Sequence, residues 1–382
     1  MRYQQTSEAS MGRFITVLFL LFALAIQVQA AEYPAVAFKT SGAVFVKGSD
    51  TEPYQPLPAG TKLSGGSFVK TGANGWLLLK LSDGSTLALA NNTELELATL
   101  RLTGDKREGL LSLLVGKIRA SIVKLAGQQT DIRIKSRTAV AGVKGTEFLM
   151  LNKGPVNVFF GNEGRVTVAG NSDGATDLDA GTMTQTTRGH KPIAPVKVEP
   201  DSTLQKAQMV FNAATGELPP AEWTESDNLP DIIARWDINY AHYLIDKGEY
   251  GQALELLQAA FDLAANEGVR ADSLLEQGSV NGRFLRDQTA ALDAYAKLLS
   301  EYPGRPQAEA ALYYSAQLRF DREEFTTALD LFERYLTRYP DGMYGQNART
   351  LINRIRQELP PEPPPGRGPV LKPTGGPQSG GR

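Results

Sequence analysis

Residues 138–151 read "TAVAGVKGTEFLML", and the roles of Gly142 and Gly145 in this stretch decide how the N-terminal half folds. Glycine, lysine and threonine together raise the thought of a phosphate-binding loop. That loop needs glycine, then lysine, then Ser/Thr, at the opening of a helix. Here Lys144 precedes Gly145, and the residues after Thr146 alternate, Phe148 and Met150 against Glu147 and Leu149, as a strand does. The nucleotide reading fails. A glycine within a strand marks a bulge, a tight bend or a close backbone approach. Gly142 and Gly145 are therefore expected to turn the chain between a strand after Lys135 and one opening at Thr146, with a ligand-binding loop as the alternative.

The flanking sequence is β throughout, from about residue 38 to 168. "AVFVKG" (43–48) is a short strand ending in glycine, and "WLLLKLSDGSTLAL" (76–89) is two strands around Asp83-Gly84. Both turn residues tolerate the positive φ of a tight hairpin. Leu77, Leu79 and Leu81 share one face of the first strand. "VNVFFGNEGRVTV" (156–168) repeats the scheme, with Val156, Val158 and Phe160 on one face and a turn at 161–164. "LLSLLVGKIRASI" and "DIRIKS" add strands, so a β-sandwich, roll or solenoid is expected.

Taken in order, "GAVFVKG", "LSDGSTLAL", "LLVGKIRASI", "TAVAGVKGTEFLML" and "VNVFFGNEGRVTV" resemble the FecR domain over residues 37–169. The matching positions are Asp83-Gly84-Ser85, the run Val143-Lys144-Gly145-Thr146-Glu147-Phe148, and Glu163-Gly164. Well-known members of that family are membrane-spanning regulators of iron uptake, whose cytoplasmic segment controls a sigma factor. Here only about a dozen residues precede the apolar N-terminal run, which leaves no such segment. The resemblance then implies a binding or scaffold module without direct anti-sigma activity.

Residues 170–230 turn polar with scattered proline, including Pro219-Pro220, and read as a linker with room for a terminal strand (178–187) and a short helix (203–213). From 231 to 358 the period becomes helical. Gly248, Tyr250 and Ala253, then Ala291, Tyr295 and Pro303, then Ala328, Phe332 and Pro340 resemble tetratricopeptide repeats. Their alanines lie 38 and 37 residues apart, against 34 in the standard repeat. The small alanine lets paired helices approach, the larger side chain fills the groove, and proline stops the second helix. Gly278 and Gly282 fit that pattern poorly. The last stretch, 359–382, is rich in proline and glycine and is expected to be disordered. The fold class expected is thus multidomain, all-β plus all-α: a FecR-like β-sandwich or solenoid followed by a tetratricopeptide-like α-solenoid.

Arg13, the apolar run Phe14–Ile26 and "VQA" (28–30) make residues 1–30 a signal peptide, cleaved after Ala30, with Met1 or Met11 as the start. The run is shorter than the roughly 20 residues of a membrane span, and no later stretch qualifies. The chain of 382 residues has no cysteine, which excludes disulfides, thiolate chemistry and an N-terminal lipid anchor. A periplasmic protein is expected, not a lipoprotein. Net charge is −2, with no pull toward nucleic acid, but it is unevenly spread. Residues 101–144 hold ten Lys/Arg against three Asp/Glu, about +7; residues 221–360 hold fourteen against twenty-three, about −9. Either the halves dock on each other, or the basic half meets an anionic envelope polymer.

No catalytic set is legible. His190 and His242 are the only histidines, too few for a convincing zinc site, and no Gly-x-Ser-x-Gly pattern occurs. The expectation is a non-enzymatic adaptor with no cofactor or metal, binding protein partners through its helical repeats. An envelope-assembly or peptidoglycan-associated factor is the alternative.

Overall fold

The computed structural model describes residues 33–102, 106–124, 129–171, 174–216 and 228–359. The expected signal peptide, the Pro219-Pro220 segment and the tail from Pro360 onward lie outside the described residues. The chain separates into two units, Met1–Asp227 and Asn228–Arg382.

The first unit is a pair of facing sheets whose strands change layer at tight corners. Its strands are β1 (Ala35–Ser41), β2 (Val44–Lys47), β3 (Gln55–Pro56), β4 (Lys62–Leu63), β5 (Phe68–Thr71), β6 (Trp76–Leu81), β7 (Thr86–Leu89), β8 (Glu94–Arg101) and β9 (Lys106–Ser121). There follow β10 (Gln129–Lys135), β11 (Ala139–Val143), β12 (Glu147–Lys153), β13 (Val156–Glu163), β14 (Arg165–Gly170), β15 (Ala175–Asp179), β16 (Thr182–Thr187) and β17 (Val196–Lys197). One sheet runs β4-β1-β6-β7-β9-β12-β13-β16-β17. The other runs β3-β2-β5-β8-β9-β10-β11-β14-β15.

Strand β9 belongs to both sheets. Up to Val115 it pairs with β8 and β10, and from Gly116 it pairs with β12 and β7. Gly116 has φ +107, and a Cβ there would lie 2.5 Å from Thr93 Cα, so only glycine can make this bend. Leu77, Leu79, Leu81, Phe148, Met150 and Phe159 from one sheet meet Val69, Leu95, Ile132, Ile134, Val143 and Val166 from the other in a single core. Each such side chain contributes about 1.5–3 kcal/mol on burial.

Within the expected linker, the terminal strand and the short helix are both present. Residues 175–187 form β15 and β16, and helix α1 (Thr203–Ala214) is capped by the Ser202 side chain, which accepts from Gln205 N. Phe211 of α1 meets Phe160 edge-on at 6.4 Å, so the Val156, Val158 and Phe160 face is the outer one, and α1 helps to cover it. Strand β16, "TMTQTT", is polar yet buried because β13 and β17 flank it and Thr184 Oγ1 donates to Ile193 O. Such a strand carries no hydrophobic signal.

In the second unit, α2 (Leu229–Asp246) pairs with α3 (Tyr250–Leu263). Next, α4 (Glu267–Ser279) continues into a π-helical turn (Val280–Leu285) and pairs with α5 (Gln288–Glu301). Then α6 (Gln307–Asp321) pairs with α7 (Phe325–Arg338), and α8 (Gly345–Glu358) covers the end. Ala253, Ala291 and Ala328 are fully buried where the helices of each pair approach. Gly278 is explained here: the Tyr295 ring lies against its backbone where a Cβ would clash.

Candidate binding surfaces

Gly145 and Gly164 are neighbouring corners, not turns of hairpins. Gly145 has φ +84 and carries the chain from β11 in one sheet to β12 in the other. Gly164, φ +71, carries it back from β13 to β14, so the expected hairpin at 161–164 is a change of layer instead. The corners stack: a Cβ on Gly164 would come 2.8 Å from Thr146 Cγ2. Gly142 departs from expectation. It sits mid-strand in β11, paired with Arg133 and Thr167, and does not turn the chain. Asp83-Gly84 does form the hairpin between β6 and β7, with Gly84 at φ +89.

Around this corner lies an open cleft of about 460 Å³, lined by Lys124, Thr130, Asp131, Gly142, Lys144, Gly145, Thr146, Arg165, Thr167 and Asp177, among others. Gly145 also shapes it: a Cβ there would lie 2.5 Å from Lys124 Cβ, so the missing side chain lets the Lys124 stem rest on the motif. The segment before Lys124 is pinned by Ile122 N donating to Thr146 O and Val123 N donating to Ser85 Oγ. Asp131 pairs with Arg133 at 2.8 Å, and Arg165 pairs with Asp179 at 2.6 Å. Lys124 and Lys144 make no ion pair or hydrogen bond among the described residues. The Thr146 hydroxyl is buried without a hydrogen-bond partner.

Beneath the cleft runs a buried polar chain. The Arg107 guanidinium bonds the Asp83 carboxylate and donates to Val123 O at 2.9 Å and Thr130 Oγ1 at 3.3 Å. Both partners of the pair are shielded from solvent, and burial lowers the Arg107 pKa. The Asp-Gly hairpin is thereby tied to the wall of the cleft. Glu147, the acid of the motif, points to the other side. Burial acts to raise its pKa, but hydrogen bonds from Ser121, Arg119 and Asn162 outweigh it and hold the carboxyl below its ordinary value. Asn162 in turn bonds Gln208 and Asn212 of α1. Sequence reasoning missed Arg107 and Lys124; the basic run 101–144 was their only signal.

In the helical unit the first helices of successive pairs touch each other, α2 with α4 and α4 with α6. Stacking of this kind curves an array and creates a concave face. On α2, Trp236, Tyr240 and Tyr243 stack at 4.8 and 5.4 Å, and Lys247 lies over the Tyr243 ring. At the far end Tyr335 Oη donates to Glu309 Oε1 and accepts from Tyr344 N, while Glu309 also accepts from Met343 N. Pro303 and Pro340 follow the ends of α5 and α7, and Arg338 donates to Pro303 O, fastening one pair to the next. Among the described residues no cluster of three or more His, Asp or Glu could hold a metal, and no helix is long and apolar enough to cross a membrane.

Residues 67–167 match the family model described as FecR protein, and residues 272–304 and 310–342 match a tetratricopeptide repeat. The chain carries a FecR domain followed by tetratricopeptide repeats. The repeat matches cover the α4/α5 and α6/α7 pairs; the α2/α3 pair lies outside them yet has the same form. Both modules belong to binding and regulatory families. No curated protein matches the chain. Among solved structures, a candidate anti-sigma factor from Parabacteroides distasonis is similar at 17% identity and TM-score 0.30, over 37% of this chain. The chain spans 64% of that structure's length. The C-terminal TPR-containing domain of a candidate FK506-binding protein from Plasmodium falciparum is similar at 14% identity and TM-score 0.28, over 35% of this chain and 95% of that one.

Proposed function

We propose that the protein is an exported, non-enzymatic adaptor of the periplasm, released by cleavage after Ala30 and carrying no lipid. Its repeats hold a protein partner, and its FecR domain presents a second surface in envelope signalling. The observation that carries this reading is the stack of helix pairs whose first helices touch, since a concave face of that kind suits a peptide or protein. Affinity capture from a periplasmic extract tests it. The full chain should retain a partner that is lost when residues 228–358 are deleted; retention of every partner after deletion would make the repeats a spacer. Intact mass of the exported protein should correspond to a start at Ala31, and a species keeping residues 14–26 would overturn the localisation.

A second reading is a peptidoglycan-associated or envelope-assembly factor whose FecR domain touches an anionic polymer. The basic surplus of residues 101–144 favours it. Sedimentation with purified sacculi should then weaken with added salt, because screening shortens the reach of surface charge.

A further inference from the structure

We propose that the cleft at the Gly145 corner is a binding site for an acidic glycan, with Lys124 and Lys144 meeting its anionic group and Thr146 donating to it. The proposal rests on the polymer-contact reading and is independent of any partner of the helical repeats. Its volume, about 460 Å³, lies within the range of small-ligand sites. The charges of its far wall are spent internally: Asp131 on Arg133, and Arg165 on Asp179 and Asp177. Among the described residues, what remains uncompensated is the ammonium of Lys124 and that of Lys144, on either side of Gly145. Such a pair calls for an oxyanion, a carboxylate or a phosphate.

The Thr146 hydroxyl is an independent pointer. Thr146 is only 6% exposed and its Oγ1 has no partner, although a buried hydroxyl normally has one. Thr146 belongs to the lining of the cleft and sits next to both corner glycines. The remaining lining argues for sugar over peptide. Asp131 and Asp177 offer acceptors to hydroxyl donors, the lining has no aromatic side chain, and its apolar residues Ile132 and Val143 are buried in the core and give a peptide no anchor. Gly142 now has a purpose. A Cβ there would meet only Thr167 O, at 3.9 Å, so the position is open space at the cleft floor and not a bend.

Isothermal titration of the full chain with trigalacturonate, phosphorylated maltotriose, neutral maltotriose and triglutamate tests the assignment. One of the two acidic probes should bind well above maltotriose and triglutamate, and which one does identifies carboxylate or phosphate. Lys124→Gln and Lys144→Gln should each weaken that binding about ten-fold, as expected for loss of one charge-assisted contact. Thr146→Val should weaken binding while leaving the melting temperature unchanged or higher, since it removes an unpartnered hydroxyl at nearly constant shape. Gly142→Val should block the cleft without loss of folding. Equal affinity for maltotriose or triglutamate, no binding of either acidic probe, or binding indifferent to Gly142→Val and Thr146→Val would each overturn the proposal. Salt-sensitive sedimentation with sacculi alongside no binding of either acidic probe would overturn this site and leave the polymer-contact reading standing, so the two fail separately.

Discussion

Gly248 and Glu323 occupy the same left-handed backbone position, φ +79 and +60, each two residues before the second helix of its pair. In both turns the next residue donates back across the turn, Glu249 N to Leu244 O and Glu324 N to Arg319 O. Arg286, φ +56, holds the corresponding place before α5. A non-glycine residue in this conformation costs roughly 1–2 kcal/mol. Glu323→Gly should therefore stabilise the helical unit by about 1 kcal/mol, and Gly248→Ala should destabilise it by a similar amount. Thermal melting followed at 222 nm reads both; a fall in melting temperature for Glu323→Gly would count against the strain argument.

The two glycines of the motif should respond in opposite ways. Gly145→Val forces a positive φ on a branched residue and drives its Cβ into Lys124, at a cost of roughly 2 kcal/mol or more. Gly142→Val adds a strand-forming side chain to open space and should stay within about 0.5 kcal/mol of the parent. Denaturant midpoints of the two variants give the comparison. Equal midpoints would mean that the corner geometry is wrong.

The Asp83–Arg107 pair is shielded from solvent at both ends, so removing one partner strands a buried charge. Asp83→Asn or Arg107→Met should each cost about 3–5 kcal/mol. The double replacement should recover part of that loss, because neither charge then remains unpaired. Chemical denaturation of the three variants forms a thermodynamic cycle, and strict additivity would show that the two groups do not depend on each other.

Alkaline stability should be set by buried phenols. Burial, then the hydrogen bond to Glu309, pushes the Tyr335 pKa up to about 12. Tyr295 and Tyr344 are raised further, with burial first in each case. The folded state holds these protons more tightly than the unfolded one, whose tyrosines titrate near pH 10. Their contribution is complete below about pH 10 and is lost as pH rises toward about 12. Absorbance at 295 nm should show a group of tyrosines that ionises only as the helical signal falls. Ionisation of every tyrosine near pH 10 with the helices intact would contradict this account.

The gap between sequence and structure is instructive at particular residues. The Asp83-Gly84 hairpin and the alanine spacing of the repeats depend on contacts within one turn or one helix pair, and local chemistry announces them. Gly145 was recognisable as a bend, because its neighbours alternate like a strand. Its partner corner Gly164 looked like a hairpin, because nothing local distinguishes a turn within one sheet from a step between two. Gly142 sits inside a strand, and nothing in its neighbours distinguishes a glycine there from one at a bend.

The sequence by itself determined the division into a β half and a helical half, the change of period near residue 231, and the families each half resembles. Those properties follow from side-chain periodicity and from turn residues, which act over a few positions. Only the tertiary structure decided which sheet each strand joins, that β15 and β16 go to different sheets, and that Lys124, Lys144 and Thr146 line one cleft. These are contacts between segments far apart in the chain. They exist because β9 crosses from one layer to the other at Gly116, and because Gly145 lacks the one carbon that would hold Lys124 away.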